Sequence, residues 1–161
     1  MRQGQKLKWS LMSNSSSTIT NINFFSEDID FNLEHKQRIT EWINSLCNNH
    51  DFEIEELTYI FCSDEYLLEI NQQYLNHDTY TDIITFNNSN VEGIIMSDIF
   101  ISVERVKENA KTQKVLFETE LLRVLIHGVL HLIGFNDKTD EEKTLMRKKE
   151  DECISLFQNT K

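Results

Sequence analysis

The sequence predicts an α+β domain: a mixed, mostly parallel four-stranded sheet with one antiparallel edge strand, packed with about five helices. Three observations predict it. Segments of strand and helix periodicity follow one another as βαβαββααα along 161 residues, one domain's worth of chain. Residues 81–86 and 91–102 flank the turn-like run Asn87 to Asn90 as the two arms of a hairpin do. Residues 118–133 are apolar nearly all round, which marks a central helix buried against the sheet.

Each element has its own signal. Residues 1–17 read as a polar tail, with 18–161 as the single folded domain. Ile19 to Phe25 alternates as a first strand. Asn32 is placed to cap a helix from about Leu33 to Asn48, whose Ile39, Trp42, Ile43 and Leu46 share a face. Glu56 to Cys62 is a strand with Leu57, Tyr59 and Phe61 on one side, and Ser63 caps the next helix. Ser102 opens a helix to about Lys114. Thr139-Asp140-Glu141-Glu142 is a capping-box pattern for a last amphipathic helix reaching about Phe157.

Composition narrows the class of function. No run approaches the roughly 20 apolar residues that span a membrane. Cys47, Cys62 and Cys153 are odd in number and widely spaced, which suits reduced thiols in a cytoplasmic protein. The net charge of −11 is uneven: residues 102–161 carry 11 basic and 11 acidic side chains, so the whole excess lies in residues 1–101. No basic stripe is evident, and composition alone argues against nucleic-acid binding.

The chemistry is concentrated in HGVLHLIGFND, residues 127–137. Histidines at i and i+4 on a helix share a face with Cβ atoms about 5–6 Å apart, so His127 and His131 can meet one ion. Gly134 permits the left-handed conformation that ends a helix, and Asp137 then returns a carboxylate as third ligand. The spacing equals that of the extended zincin motif, with aspartate in the last place. Three ligands and a vacant position suit one divalent ion, zinc first, with nickel, manganese or iron also compatible. Peptide hydrolysis in zincins uses a glutamate directly after the first histidine; here that residue is Gly128, and glycine inside an apolar helix suggests close approach of another segment. A pair of core histidines with no metal is the plainer alternative, but burying two imidazoles among Leu130, Leu132 and Ile133 without partners is costly.

Other residues carry weaker signals. Asp82 reads either as a carboxylate supporting the site or as a strand-start cap. Asp98 interrupts an apolar run, so it faces solvent or meets a polar group of the site. Glu120, seven residues before His127, either orients a ligand or answers the helix dipole. His35, His50 and His77 read as surface or loop residues. Lys107, Lys111, Arg123 and Lys138 flank the site in sequence and are candidate phosphate contacts, with solvated helix charges as the alternative.

With these residues in view, the chain resembles the YbeY family of bacterial rRNA-maturation endoribonucleases over about residues 20–157. HGVLHLIGFND is similar to that family's H-G-x-L-H-L-x-G-Y-D-H. Asn71-Gln72-Gln73-Tyr74 with Asp78 to Phe86 is similar to N-x-x-Y-R-x-x-D-x-P-T-D-V-L-S-F, and Ser97 to Ser102 to G-D-I-x-I-S. The sequence departs from the pattern at Asp137 (histidine in the family), Asn136 (aspartate), Leu75 (arginine) and Tyr80 (proline).

The resemblance implies a zincin-like metal helix and a single-strand-specific, metal-dependent endoribonuclease acting in 16S rRNA 3′-end maturation and ribosome quality control. It implies His127, His131 and Asp137 as metal ligands. The implied partners are single-stranded rRNA and the ribosomal subunit or its proteins, with no DNA and no membrane. Two other readings stay open: a zincin-like metallopeptidase, disfavoured by Gly128, and a non-catalytic ribosome-assembly factor with a structural metal.

Overall fold

The computed structural model describes residues 21–160; the expected polar tail, residues 1–17, lies outside them. Four strands and five helices follow one another among these residues: β1 (Ile22–Ser26), α1 (Lys36–Asn49), β2 (Glu53–Cys62), α2 (Asp64–Leu75), β3 (Ile83–Asn87), β4 (Ile94–Ser102), α3 (Val103–Gln113), α4 (Phe117–Leu132) and α5 (Asp140–Asn159). The sheet order is β1-β2-β4-β3, with β1, β2 and β4 parallel and β3 antiparallel at the edge. This is the mixed sheet that the sequence predicts.

Strand β2 lies between two neighbours and is buried on both faces, so from Leu57 to Cys62 every residue is buried. Its alternation still sorts the core. Leu57, Tyr59 and Phe61 join Ile99, Ile101 and the helices α1, α4 and α5 in the main cluster. Ile60 and Cys62 face the other way, with Ile84, Phe100 and the α2 residues Leu67 and Ile70. The sheet thus separates a thick helical layer, which holds α4, from a thin one made by α2.

Capping follows the local chemistry. The Ser63, Ser102 and Thr139 hydroxyls accept from the backbone N–H groups of Tyr66, Arg105 and Glu142, each at 3.1 Å, and Glu142 completes the capping box. Helix α4, preceded by Leu116, has no side-chain cap, and neither has the first helix. It begins at Lys36, and His35, left-handed at φ 61°, precedes it in place of the expected Asn32. Leu33 is buried and Phe31 packs on Phe61 and Phe117. The segment before α1 is therefore spent filling the core as irregular chain, and the helix starts only once that packing is complete.

Helix α4 lies against the sheet because Gly128 lets it approach. A Cβ at 128 would stand 2.9 Å from Ile99 Cδ1, 3.1 Å from Ile83 Cδ1 and 3.2 Å from Thr85 Oγ1. The Tyr59 hydroxyl, fully buried, donates to the Leu125 carbonyl at 2.8 Å and ties β2 to the same helix. With these two contacts the fold fixes how far along the sheet, and at what rotation, His127 and His131 are presented.

Candidate metal centre

His127 and His131 sit one turn apart near the end of α4, with ring centroids 4.7 Å apart and planes at 78°. The helix ends at Gly134, whose φ of 112° suits only glycine. The Phe135 N–H reaches back to the Leu130 carbonyl at 2.9 Å. This turn brings Asp137 over the two rings. Its Oδ2 stands 3.3 Å from His127 Nε2 and 3.2 Å from His131 Nε2.

These separations suit one small cation. Two donors bonded at about 2.0–2.1 Å to a tetrahedral ion lie about 3.3–3.4 Å apart, which is what the carboxylate oxygen shows to both nitrogens. The three candidate ligand atoms all fall within 4.8 Å of one another, and all three side chains are partly solvent-exposed. The group can hold a metal ion.

Behind the ligands lies a carboxylate that sequence reasoning did not single out. Glu150 of α5, 5% exposed, places Oε2 2.6 Å from His127 Nδ1. Its Oε1 is 3.2 Å from Arg123 Nη1, which also donates to Asp151 at 2.8 Å. The signal was available: Glu150 falls in the buried stripe of α5 with Met146, Cys153, Ile154 and Phe157, and a carboxylate there requires a partner. Burial pulls the His127 imidazole down, but the Glu150 hydrogen bond and the nearby charges of Glu150, Asp137 and Asp82 outweigh it. Its pKa in the metal-free protein stands above the ordinary value.

His127 and Asp137 line a cleft of about 410 Å³ between α3, α4, α5 and the start of β3, and His131 lies outside its lining. Asp82 lines it, as does Asn109, whose Nδ2 donates to Asp82 Oδ2 at 3.4 Å. Burial pushes the Asp82 carboxyl pKa up, against the lowering field of His127. Glu120, 2% exposed, also lines the cleft but orients no ligand. Its Oε1 stands 3.6 Å from Arg123 Nε, its Oε2 accepts from Gln113, and burial raises its pKa.

Asp98 takes no part in this site. Residues of β4 alternate, and Ile99 meets α4 at Gly128. Asp98 therefore points to the opposite face, where it is buried and accepts from Asn88 Nδ2 at 3.1 Å. His35 and His77 are exposed, and the His50 ring packs edge-on to Phe135. Among the four flanking cations only Arg123 lines the cleft, and its charge is already shared among Glu120, Glu150 and Asp151. Lys107 instead lies over the Phe117 ring, and Leu75 ends α2 in the thin layer. The cleft's basic residues that sequence position did not suggest are Lys143 and Arg147.

Position 128 bears on the peptidase alternative. The space a glutamate side chain would need after His127 is filled by Ile83, Thr85 and Ile99, so this helix cannot present a zincin base.

Comparison with known proteins agrees with this architecture. A family model described as Endoribonuclease YbeY matches residues 21–158. Proteins named Endoribonuclease YbeY from Cytophaga hutchinsonii and Flavobacterium psychrophilum are 53% and 52% identical over 133 residues. The match covers 83% of this chain in both cases, and 93% and 94% of theirs. One from Christiangramia forsetii is 52% identical over 136 residues, covering 84% of this chain and 94% of its own. The solution structure of the Thermotoga maritima protein TM1509 superposes with a TM-score of 0.59 at 26% identity, covering 84% of this chain and 88% of that one. Family match, identity over most of each chain and shared fold all agree: the chain belongs to the Endoribonuclease YbeY family.

Proposed function

We propose that this protein is a metal-dependent endoribonuclease that cleaves single-stranded RNA. The observation that carries the reading is the group His127, His131 and Asp137, its ligand atoms within 4.8 Å of one another beside an open cleft, in a chain whose relatives are named endoribonucleases. Zinc is the resident ion that the ligand set favours, since two imidazole nitrogens and one carboxylate oxygen with an open position make up a catalytic zinc set. When bound, such an ion supplies Lewis acidity toward a phosphoryl oxygen and activation of water.

The chain's own residues would divide the remaining work. Glu150 accepts the His127 Nδ1 proton and so keeps Nε2 free to act as a ligand. Asp82 is the lining carboxylate that neither binds the ion nor pairs with Arg123, and its raised pKa suits a group that moves a proton. In hydrolysis the water oxygen bonds to phosphorus as the bond to the leaving ribose oxygen breaks. Asp82 takes the water's proton and can return it to that oxygen. Unpaired RNA fits the open cleft as a strand held by its backbone. The physiological role we assign is 16S rRNA 3′-end maturation on the ribosomal subunit in the cytoplasm. No helix among the described residues is long and apolar enough to cross a membrane.

A side-by-side assay tests the reading. Metal-loaded protein should cut a single-stranded RNA, lose that activity with a chelator and regain it with zinc, while leaving a generic peptide intact. Peptide cleavage without RNA cleavage would replace this function with the metallopeptidase.

A further inference from the structure

One face of α5 forms a wall of the cleft. Lys143, Met146, Arg147 and Glu150, at i, i+3, i+4 and i+7, all line it. Two of these four are cations, and neither is spent as Arg123 is. Lys143 forms no ion pair among the described residues. Arg147 is half exposed; its Nη1 stands 3.8 Å from Glu150 Oε1, and its Nη2 donates to Gln113 Oε1 at 3.3 Å. Glu150 is already committed at shorter range to His127 and Arg123. At i and i+4 the two cationic stems leave the helix about 5–6 Å apart on one side, long enough to reach across the mouth of the cleft.

We propose that Lys143 and Arg147 form a phosphate subsite for the RNA backbone, beside the metal ligands on the α5 wall. The proposal rests on the endoribonuclease reading. Charge supports it. The lining carries the carboxylates of Asp82, Glu120, Asp137 and Glu150 against three basic side chains, a small negative excess that repels RNA. A divalent ion on Asp137 and the two histidines reverses that sign, while Arg123 is spent on the buried carboxylates of Glu120 and Glu150. The field left at the mouth comes from Lys143 and Arg147, so an anionic strand entering toward the ion meets them. In a chain of net charge −11, this is where backbone affinity can be concentrated.

The test is the salt dependence of binding to a short single-stranded 2′-O-methyl oligoribonucleotide, followed by fluorescence anisotropy on zinc-loaded protein, with strand integrity checked on a gel. Each phosphate contact contributes about 0.7 to the slope of log K against log salt for a single strand. Lys143→Ala and Arg147→Ala should each lower the slope by about that amount, and the double variant by about 1.4. Arg147→Lys should keep the slope. Lys111→Ala, an exposed cation that does not line the cleft, should leave it unchanged. Metal content and thermal melting are measured on every variant. A double variant that is folded, metal-loaded and unchanged in slope overturns the subsite while leaving the nuclease reading intact. If Arg147→Ala loses its metal, the residue acts through Glu150 and its phosphate role is overturned. A wild-type protein that neither binds nor cuts RNA overturns both readings.

Discussion

Glu150 Oε2 stands 2.6 Å from His127 Nδ1, which joins the last helix to the first metal ligand. The two residues are 23 apart in sequence and face each other because α5 packs along α4. A carboxylate this buried needs partners, and Glu150 has three: the imidazole, Arg123 and, more distantly, Arg147. The contact fixes the orientation of the His127 ring before any metal arrives, as a carboxylate–histidine–metal relay would require.

Glu150→Ala is therefore expected to weaken metal binding by about 10–100-fold. Glu150→Gln, which still accepts the Nδ1 proton but has lost the charge, should weaken it less. Competition against a chromogenic chelator reads this directly, with circular dichroism confirming the fold. Unchanged affinity in Glu150→Ala would show that the contact is structural only.

The ligands themselves should respond differently. His127→Ala and His131→Ala are expected to lose the ion and RNA cleavage together, while Asp137→His retains metal, because imidazole nitrogen and carboxylate oxygen serve at nearly the same bond length, about 2.0–2.2 Å. Metal analysis alongside cleavage distinguishes the two classes. Cleavage by metal-free His127→Ala would place the activity elsewhere.

The raised pKa of His127 gives opposite pH trends with and without metal. In the metal-free protein the protonated ring and Glu150 attract each other. That stabilisation is fully present below the unfolded imidazole value of about 6.5 and is lost as pH rises through the higher folded value. Metal must displace the same proton, so metal affinity falls as pH drops through that range. Melting curves of metal-free wild type and Glu150→Gln across neutral pH should converge toward high pH. A constant gap would mean that the pair does not titrate with folding.

Gly128→Ala sets two effects against each other. Alanine gains about 1 kcal/mol of helix propensity, but its methyl would meet three side chains at 2.9 to 3.2 Å, and overpacking costs about 1–3 kcal/mol. A net loss of about 1 kcal/mol, or about 3 °C in Tm, is expected by thermal melting. Gly128→Glu should fail to fold and should not produce a peptidase. A soluble Gly128→Glu protein with raised Tm would contradict the packing described here.

Much of this was legible in the sequence because it rests on local rules. Helical spacing put His127 and His131 on one face, Gly134 marked the turn, and Thr139 with Glu142 announced the start of α5. The α1 start was not legible: Asn32 has the chemistry of a cap, but burial of Leu33 and packing of Phe31 on Phe61 take precedence over it. Asp98 and Asp82 looked alike as carboxylates within strand-like runs. Only the pleat of β4 sends one behind the sheet, while the other lines the cleft.

By itself, then, the sequence determined the class of fold, the gathering of His127, His131 and Asp137 and the likeness to an RNA-processing family, since each depends on spacing within about ten residues or on motif order. Tertiary structure decided what surrounds the triad. Packing α5 onto α4 brought Glu150 to His127 and set Lys143 and Arg147 on the cleft wall, and the approach of β3 and β4 filled the space beside Gly128. These relations join residues far apart in the chain, and the burial of a shared core, with no local propensity to announce it, is what fixes them.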